Sequence, residues 1–343
     1  MEYHGKNGVK HASIGHRGRA SGARLSQIEP TGDRGGRIRF GSFRLQHNER
    51  AGLLYTLAGF VLLSCGDAVI KTMAGQWAPS AIATLRYALG AAGLSAILLA
   101  RQGPGAFRMP RPGLQLLRGL AVATATISFF SALFLMPLAE TTTITFVSPM
   151  ITGLLAPVFL REKARAATFV ASAVAFAGVM IVLRPNIAEL GIAALLPLLC
   201  ASAMSTLFLA NRAAAGVASP LAMQAYIALM ATPLLLAATT IGHFSGIATL
   251  HVGTPDWTVI ARCAVVACSA TMAHWLIYLG TTRAGAATVA PMTYVQLIVA
   301  TTLGWLLFGD RPDAVTLLGG AIIIGAGLYL WSQGRVKEPS MTD

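Results

Sequence analysis

Charged residues inside long apolar runs are the first candidates for function, because a charge in an apolar surrounding is costly unless it is paired or used. Asp67 and Lys71 are four residues apart, which places them on one face of a helix. Lys71 is predicted either to contact an anionic substrate, with Asp67 as its proton-sensitive partner, or to be neutralised by Asp67 or extended to the membrane interface. Arg86 stays charged at any accessible pH. It suits a substrate carboxylate or phosphate, or it clamps Asp67 or helix-end carbonyls.

Hydroxyl groups recur at helical spacing in two neighbouring apolar runs. The first stripe consists of Thr124, Ser128 and Ser131, and the second of Thr141, Thr145, Ser148 and Thr152. Such stripes line a hydrated path in some transporters, and in others they join helices by hydrogen bonds. Ser128, Thr145 and Ser148 are predicted to contact a substrate.

The second half of the chain offers further polar candidates. His274 and Tyr278 share a helix face, and a histidine can titrate near neutral pH or donate one hydrogen bond in a core. Tyr226 and Gln296 are predicted substrate contacts, as is His274. Asp67, Glu140 and His274 are the candidates for proton coupling, although Glu140 also fits a solvated loop acid.

The composition shows which elements must position these residues. Of 343 residues, 55% are hydrophobic and 11% are charged, whereas soluble domains carry about 25% charged residues. This excludes an ordinary soluble enzyme, a disordered tail protein and a collagen-like fibre. No catalytic residue, metal site or cofactor is predicted, since the four cysteines lack metal or disulfide spacing.

A membrane-spanning helix needs roughly 20 apolar residues. Ten such runs are predicted, at 53–73, 79–100, 114–137, 141–160, 166–183, 190–210, 219–241, 257–279, 286–308 and 314–331. These runs do not alternate, so an all-α membrane bundle is predicted rather than a β-barrel.

Prolines and small residues predict where these helices bend or approach each other. Kinks or hinge points are predicted at the prolines inside or at the ends of the spans, namely Pro137, Pro149, Pro157, Pro197, Pro233 and Pro291. Close helix contacts are predicted at small residues, namely Ala173, Ala177, Gly178, Ala321 and Gly325.

The distribution of basic residues predicts the orientation. With the N-terminus inside, 11 Lys and Arg residues fall on the inner side and four on the outer side, before the ten in residues 1–50 are counted. Both termini are therefore predicted to be cytoplasmic. Residues 1–49 are predicted to be a basic disordered tail and 333–343 a second cytoplasmic tail. The first tail is more consistent with contacts to anionic lipid than with nucleic-acid binding.

A weak internal repeat divides the spans into two sets of five. The segment 153–168 (GLLAPVFLREKARAAT) matches 301–316 (TTLGWLLFGDRPDAVT), which aligns Glu162 with Asp310. An odd number of spans per copy forces the copies into opposite orientations. Such inverted repeats are typical of alternating-access transporters, with the substrate near the midplane. The predicted repeats are residues 50–185 and 186–332.

Three segments resemble the EamA family of the drug/metabolite transporter superfamily. They are GDAVIKTM with APSAIATLRYALGA (66–91), TTTITFVSPMITGLLAPVFLREK (141–163) and APMTYVQLIVATTLGWLLFGDR (290–311). The resemblance implies ten transmembrane helices in two inverted five-helix repeats. It also implies a permease for small metabolites such as amino acids, nucleotide-like compounds or vitamins, and the family contains both exporters and uptake systems.

The predicted function is secondary transport of a small polar metabolite across the inner (cytoplasmic) membrane of a bacterium by alternating access. The energy comes from a proton gradient or from the substrate's own gradient, and export is favoured over uptake. The predicted partners are this metabolite and membrane lipids, without nucleic acid, and the oligomeric state is left open. The alternatives are an intramembrane enzyme, and a membrane sensor or scaffold.

Overall fold

A computed structural model describes residues 47–160, 166–214, 216–284 and 290–335 of the chain. These residues are almost entirely helical, and none of them lies in a β-strand. The predicted tails fall largely outside the described residues, which exclude 1–46 and 336–343.

The described part of the chain contains eleven α-helices. They are α1 (His47–Lys71), α2 (Pro79–Gln102), α3 (Pro112–Leu135), α4 (Leu138–Thr145), α5 (Ser148–Leu160), α6 (Ala166–Leu190), α7 (Leu196–Ala213), α8 (Pro220–Phe244), α9 (Trp257–Ala284), α10 (Val295–Phe308) and α11 (Ala314–Arg335). A 3₁₀ turn, Ala290–Tyr294, leads directly into α10.

The described residues form ten stretches that are long and apolar enough to cross a membrane, one for each predicted run. Span 4 consists of α4 and α5, and span 9 consists of the 3₁₀ turn and α10. Span 6 consists of the end of α6, a 3₁₀ turn and α7, and the other spans follow single helices in chain order. The predicted all-α membrane fold is confirmed.

The apolar side chains divide between an interior and a lipid-facing surface. The largest buried cluster is built mainly by α1, α2, α3, α8 and α9, and a second cluster by α4, α5, α6 and α11. Large apolar side chains point outward elsewhere, such as Val158 and Ile241, which are 74% and 72% exposed. Lipid solvates such a surface, so exposure here is compatible with a stable bundle.

Helix packing follows a two-fold pattern. Adding five to each span number maps the contact of spans 1 and 8 onto that of spans 6 and 3. It likewise maps spans 1 and 9 onto 6 and 4, and spans 2 and 8 onto 7 and 3. The contacts of spans 2 and 7, 4 and 9, and 5 and 10 map onto themselves. An inverted repeat related by an axis in the membrane plane requires this pattern, in which the two copies interleave.

Spans 5 and 10 approach so closely that side chains are excluded between them. A Cβ atom on Gly319 would lie 2.9 Å from the carbonyl oxygen of Gly178 and 2.6 Å from Cγ2 of Val182. The predicted close contact at Gly178 is confirmed, and Gly319 is its partner. The prediction for Gly325 is wrong, because nothing lies within 4 Å of a Cβ there.

This packing yields a matched pair of substitutions in α11. Gly319→Ala is expected to lower the free energy of unfolding by about 1–3 kcal/mol, because the added methyl group overpacks a backbone contact. Gly325→Ala is expected to be neutral or to stabilise by about 0.5–1 kcal/mol, because alanine loses less backbone freedom than glycine. Unfolding in detergent micelles measures both, and equal effects of the two substitutions would contradict the close contact.

Candidate functional site

Lys71, the last residue of α1, joins three elements at one end of the bundle. Its Nζ donates to Oδ2 of Asp310 at 2.8 Å and to the carbonyl oxygen of Met136 at 2.9 Å. It also lies 5.1 Å from the ring centroid of Phe308. The side chains of Lys71 and Asp310 are 13% and 23% exposed. We call Lys71, Asp310 and the Met136 carbonyl the Lys71 latch, and this end of the bundle the Lys71 end.

The latch corrects one prediction. Had Lys71 been neutralised within α1, its partner would have been Asp67, but its carboxylate partner is Asp310, which follows α10. Lys71 is the final residue of α1, so its side chain extends past the helix end to neighbouring elements. Spans 1 and 9 both have odd numbers, so they cross the bundle in the same direction and end at the same side. Lys71 and Asp310 each lie at such an end, and this is the signal in the sequence that could have suggested the pair.

Arg262 of α9 provides a second cation at the Lys71 end. Its guanidinium donates to the carbonyl oxygen of Thr72 at 3.1 Å, to the Thr72 hydroxyl at 3.2 Å and to Oε1 of Gln76. The last carbonyls of a helix lack intrahelical partners. Arg262 therefore bonds the C-terminal end of α1 from the second repeat.

Arg118 of α3 occupies the related position at the opposite end. It is 3% exposed, and its Nε donates to Oδ1 of Asn211 at 2.7 Å. It also bonds Oε1 of Gln115 and, at 3.4 Å, the carbonyl oxygen of Met223. Span 3 thus contacts the end of span 6 as span 8 contacts the end of span 1. In the sequence, Arg118 and Arg262 contributed only to the count of basic residues on each side of the membrane.

Asp313 lies close to Asp310 in sequence, but it caps a helix instead of joining the latch. Its Oδ1 accepts a hydrogen bond from the backbone N–H of Thr316 at 2.7 Å, in the first turn of α11. Bonds from Thr316 hold the pKa of Asp313 below its ordinary value. The cap is therefore complete above the ordinary aspartate pKa of about 4. It is lost as the pH falls through the lowered folded-state pKa.

Asp67, Arg86 and His274 form a central group between the two ends. The guanidinium of Arg86 lies over the rings of Tyr87 and Phe130, with its Cζ atom 5.2 and 5.6 Å from the centroids. Its charge acts on both Asp67 and His274. No carboxylate of the described residues forms an ion pair with Arg86.

The central group is not sealed by packing. Asp67 is only partly buried and His274 is exposed. His274 Nδ1 lies 2.7 Å from the carbonyl oxygen of Ala270. In the neutral ring Nδ1 is then the donor, which leaves Nε2 as an acceptor.

Span 4 is interrupted, and its interruption meets the 3₁₀ turn at which the described part of span 9 begins. The helix of span 4 ends at Thr145 and resumes at Ser148, while that of span 9 begins after Tyr294. The rings of Phe146 and Tyr294 pack edge to face with centroids 5.5 Å apart. The Ser64 hydroxyl donates to the backbone carbonyl of Gln296 at 3.1 Å. The amide of Gln296 bonds to no described residue.

The sequence matches the EamA-like transporter family over residues 50–184 and again over residues 191–332. The chain belongs to this family. It is a multi-pass membrane protein and a transporter.

Three relatives from bacteria illustrate the family. A riboflavin transporter of Brucella anthropi is 25% identical over 80% of this chain and 97% of its own. An S-adenosylmethionine uptake transporter of Rickettsia bellii is 26% identical over 66% of this chain and 75% of its own. A pseudopaline exporter of Pseudomonas aeruginosa is 25% identical over 81% and 94%.

A solved crystal structure supports the same fold. It superposes with a TM-score of 0.56 over 83% of this chain and 98% of its own, at 21% sequence identity. Such a likeness shows the fold of this EamA-like transporter and nothing further.

Several predicted contacts of the transporter lie away from its central group or are buried. Tyr226 is 2% exposed, and its hydroxyl donates to the carbonyl oxygen of Ala106 at 2.5 Å. Ala106 follows the end of α2 opposite to Arg86, so the structure does not bring Tyr226 to the central group. Ser128 is buried within α3, at 4% exposure. Glu140 lies in the first turn of α4, towards the Lys71 end.

The interruption of span 4 also divides the predicted hydroxyl stripe of the transporter. Thr141 and Thr145 lie in α4, whereas Ser148 and Thr152 lie in α5, so they do not share one continuous face. The Thr145 hydroxyl donates to the carbonyl of Thr142 at 2.7 Å, and Ser148 is 8% exposed. The Thr152 hydroxyl bonds that of Ser205 in α7 at 3.0 Å, which joins two helices.

The latch can be tested with two acidic residues at the Lys71 end of the transporter. Asp310→Asn is expected to lower the free energy of unfolding by up to about 3 kcal/mol, because hydrogen bonds to charged groups contribute about 1.5–3 kcal/mol. The control Asp256→Asn, at an exposed site beside α9, is expected to change it by less than about 0.5 kcal/mol. Denaturant unfolding in micelles measures both, and an unchanged stability of Asp310→Asn would remove the latch.

Proposed function

We propose that this protein is a secondary transporter of a small polar metabolite that carries an anionic group, and that it works by alternating access between its interleaved repeats. Arg86 carries the proposal. It is a cation about one-third of the way along span 2, it is oriented by two aromatic rings, and no described carboxylate pairs with it. Asp67, which is partly buried, and His274, which is exposed, are its proposed neighbours in the substrate site.

The chemistry of the central group favours an anion that has polar or cationic neighbours. A guanidinium binds a carboxylate or phosphate through two parallel hydrogen bonds, and the low dielectric of the interior strengthens that interaction. Asp67 and the Nε2 atom of His274 are acceptors for hydrogen-bond donors elsewhere on the same molecule. Amino acids, nucleotide-like compounds and vitamins offer such combinations.

The names of the relatives support a small, polar substrate. Their names refer to riboflavin, S-adenosylmethionine and pseudopaline, which are small polar metabolites. Transport is therefore favoured over an intramembrane enzyme or a sensor. The same names include uptake transporters and an exporter, so export by this chain stays a prediction.

The Lys71 latch supports alternating access. It connects span 1 of the first repeat with the end of span 9 in the second, and it draws in the end of span 3. Opening the Lys71 end requires this ion pair to break. The two-fold packing supplies related contacts at the opposite end, which gives the protein two states of similar construction.

The charge count supports an orientation in a bacterial cytoplasmic membrane. With 11 basic residues on one side and four on the other outside the first 50 residues, both termini are inside and the Lys71 end faces outward. The latch then closes the outer entrance.

Arg86 is tested by comparing two arginines of α2. Arg86→Ala is expected to weaken binding of the anionic ligand about 10- to 100-fold, because one charge-assisted hydrogen-bonded contact contributes about 1.5–3 kcal/mol. Arg101→Ala, at the exposed end of the same helix, is expected to leave binding unchanged. Thermal-shift titrations with adenosine monophosphate, citrate and glutamate would find the ligand. Undiminished affinity in Arg86→Ala excludes Arg86 from the site.

Proton coupling is tested with two acidic residues. Asp67→Asn is expected to abolish the dependence of flux on a pH gradient, because the asparagine amide cannot carry a proton. Glu189→Gln, on the exposed end of α6, is expected to keep that dependence. Flux of the identified ligand into proteoliposomes measures both, and wild-type flux that ignores the pH gradient would disprove coupling.

A further inference from the structure

The interruption of span 4 and the 3₁₀ turn of span 9 occupy equivalent positions in the two repeats. The register that aligns residues 153–168 with 301–316 places Phe146 opposite Tyr294 and Ser148 opposite Gln296. Phe146 and Tyr294 are also in direct contact. Two equivalent residues touch each other only at the two-fold axis that relates the repeats. The aromatic pair therefore marks that axis, where the helix of span 4 is interrupted and the α-helix of span 9 begins.

Packing holds the two rings in place. Phe146 packs against the apolar cluster of α4, α5, α6 and α11. The hydroxyl of Tyr294 lies over Gly327, where an added Cβ would be only 1.7 Å from it. The glycine thus provides the space that the tyrosine fills. Despite this packing, Phe146 and Tyr294 are both only partly buried, so part of each ring stays accessible.

Polar groups of the central site lie within a short distance along the neighbouring helices. Gln296 follows Tyr294 by two residues, and its amide bonds to no described residue. Ser64 of α1 bonds the backbone of Gln296. Asp67 follows Ser64 by three residues, which is about 4.5 Å along a helix. The aromatic pair therefore adjoins the charged group rather than forming a separate pocket.

We infer that Phe146 and Tyr294 form a stacking platform for a flat conjugated ring of the substrate, with the amide of Gln296 at the ring edge. The inference rests on the proposed function, and it narrows the substrate to an aromatic or heteroaromatic metabolite that carries an anionic group. A ring has a π face whatever its substituents, so stacking supplies affinity without strict selection. Hydrogen bonds to the ring edge supply the selection.

The position of the platform suits alternating access. A ring held at the two-fold axis is equally distant from both ends of the bundle. Because the helix of span 4 is interrupted there and the α-helix of span 9 begins there, these helical segments can tilt without rupturing continuous α-helical hydrogen bonding. The same site then serves the inward-open and outward-open states.

Binding to the purified full-length protein tests the platform with matched probes. Flavin mononucleotide and adenosine monophosphate carry a conjugated ring and a phosphate, whereas ribose 5-phosphate carries the phosphate alone. The ring-bearing probes are expected to bind at least tenfold more tightly than ribose 5-phosphate. Equal binding of ribose 5-phosphate, or no binding of either ring-bearing probe, overturns the inference.

Substitutions assign the binding to the two rings. Tyr294→Ala and Phe146→Ala are each expected to weaken binding of the ring-bearing probes about 5- to 100-fold, while ribose 5-phosphate binding is unchanged. Tyr294→Phe keeps the aromatic ring and is the control for a folding defect. Its affinity for the ring-bearing probes is expected to stay within about threefold of the wild-type value. Tyr329→Ala, an exposed tyrosine of α11, is the control. Undiminished affinity in both alanine variants overturns the platform.

Flux separates this inference from the proposed function. If ribose 5-phosphate or glutamate crosses proteoliposomes equally well with wild-type and Tyr294→Ala protein, transport stands and the platform is wrong. If neither ring-bearing nor ring-free probes cross, the proposed transport of anionic metabolites fails, and the inference fails with it.

Discussion

Helices in lipid gain little from burying apolar surface against one another, so their association depends on close backbone contact and on polar bonds between helices. The bundle uses both. Gly178 and Gly319 bring the backbones of α6 and α11 together. Lys71 and Asp310 join α1 to the end of α10, and Thr152 and Ser205 join α5 to α7. These contacts determine which helices are neighbours.

The inverted repeat explains why such contacts occur in related positions. Arg262 bonds the end of span 1 as Arg118 bonds the end of span 6. Both arginines lie near the start of their span, where the side chain reaches the helix end of the other copy. A contact that closes one end of the bundle consequently has a counterpart at the other. This relationship is the structural basis of a protein that opens to each side in turn.

Charges in the middle of the bundle obey a different constraint. If Asp67, Arg86 and His274 were all paired with other protein groups, they could not bind a substrate. If they were buried without water or a polar partner, the free-energy cost would be large. The structure lays Arg86 over two rings. Aromatic rings orient a guanidinium without neutralising it. Under the proposed function, Arg86 stays available to an anion, whereas the charges at the ends of the bundle form structural contacts.

Hydropathy alone was sufficient to predict the ten spans, because crossing a bilayer requires about 20 apolar residues whatever the neighbouring helices do. The family and the inverted repeat were also evident from local motifs. Prolines were a weaker guide. Pro149 adjoins the interruption of span 4 and Pro291 lies in the 3₁₀ turn of span 9, yet Pro157 and Pro233 lie inside continuous helices. The prediction that the hydroxyl groups of span 4 share one face was wrong, because the interruption between α4 and α5 is not visible in their spacing.

The partners of individual side chains were decided only by the tertiary structure. Lys71 has Asp67 one helical turn away, but its Nζ reaches Asp310, which is far along the chain. Tyr226 has a polar hydroxyl that would suit a substrate site. This hydroxyl instead bonds the carbonyl oxygen of Ala106, beyond the end of α2 that is opposite to Arg86. Phe146 and Tyr294 lie in two of the segments that resemble the family, but only the two-fold packing shows that their rings meet. A sequence specifies which segments enter the membrane because each does so nearly independently, whereas a contact between distant side chains depends on how all the helices pack together.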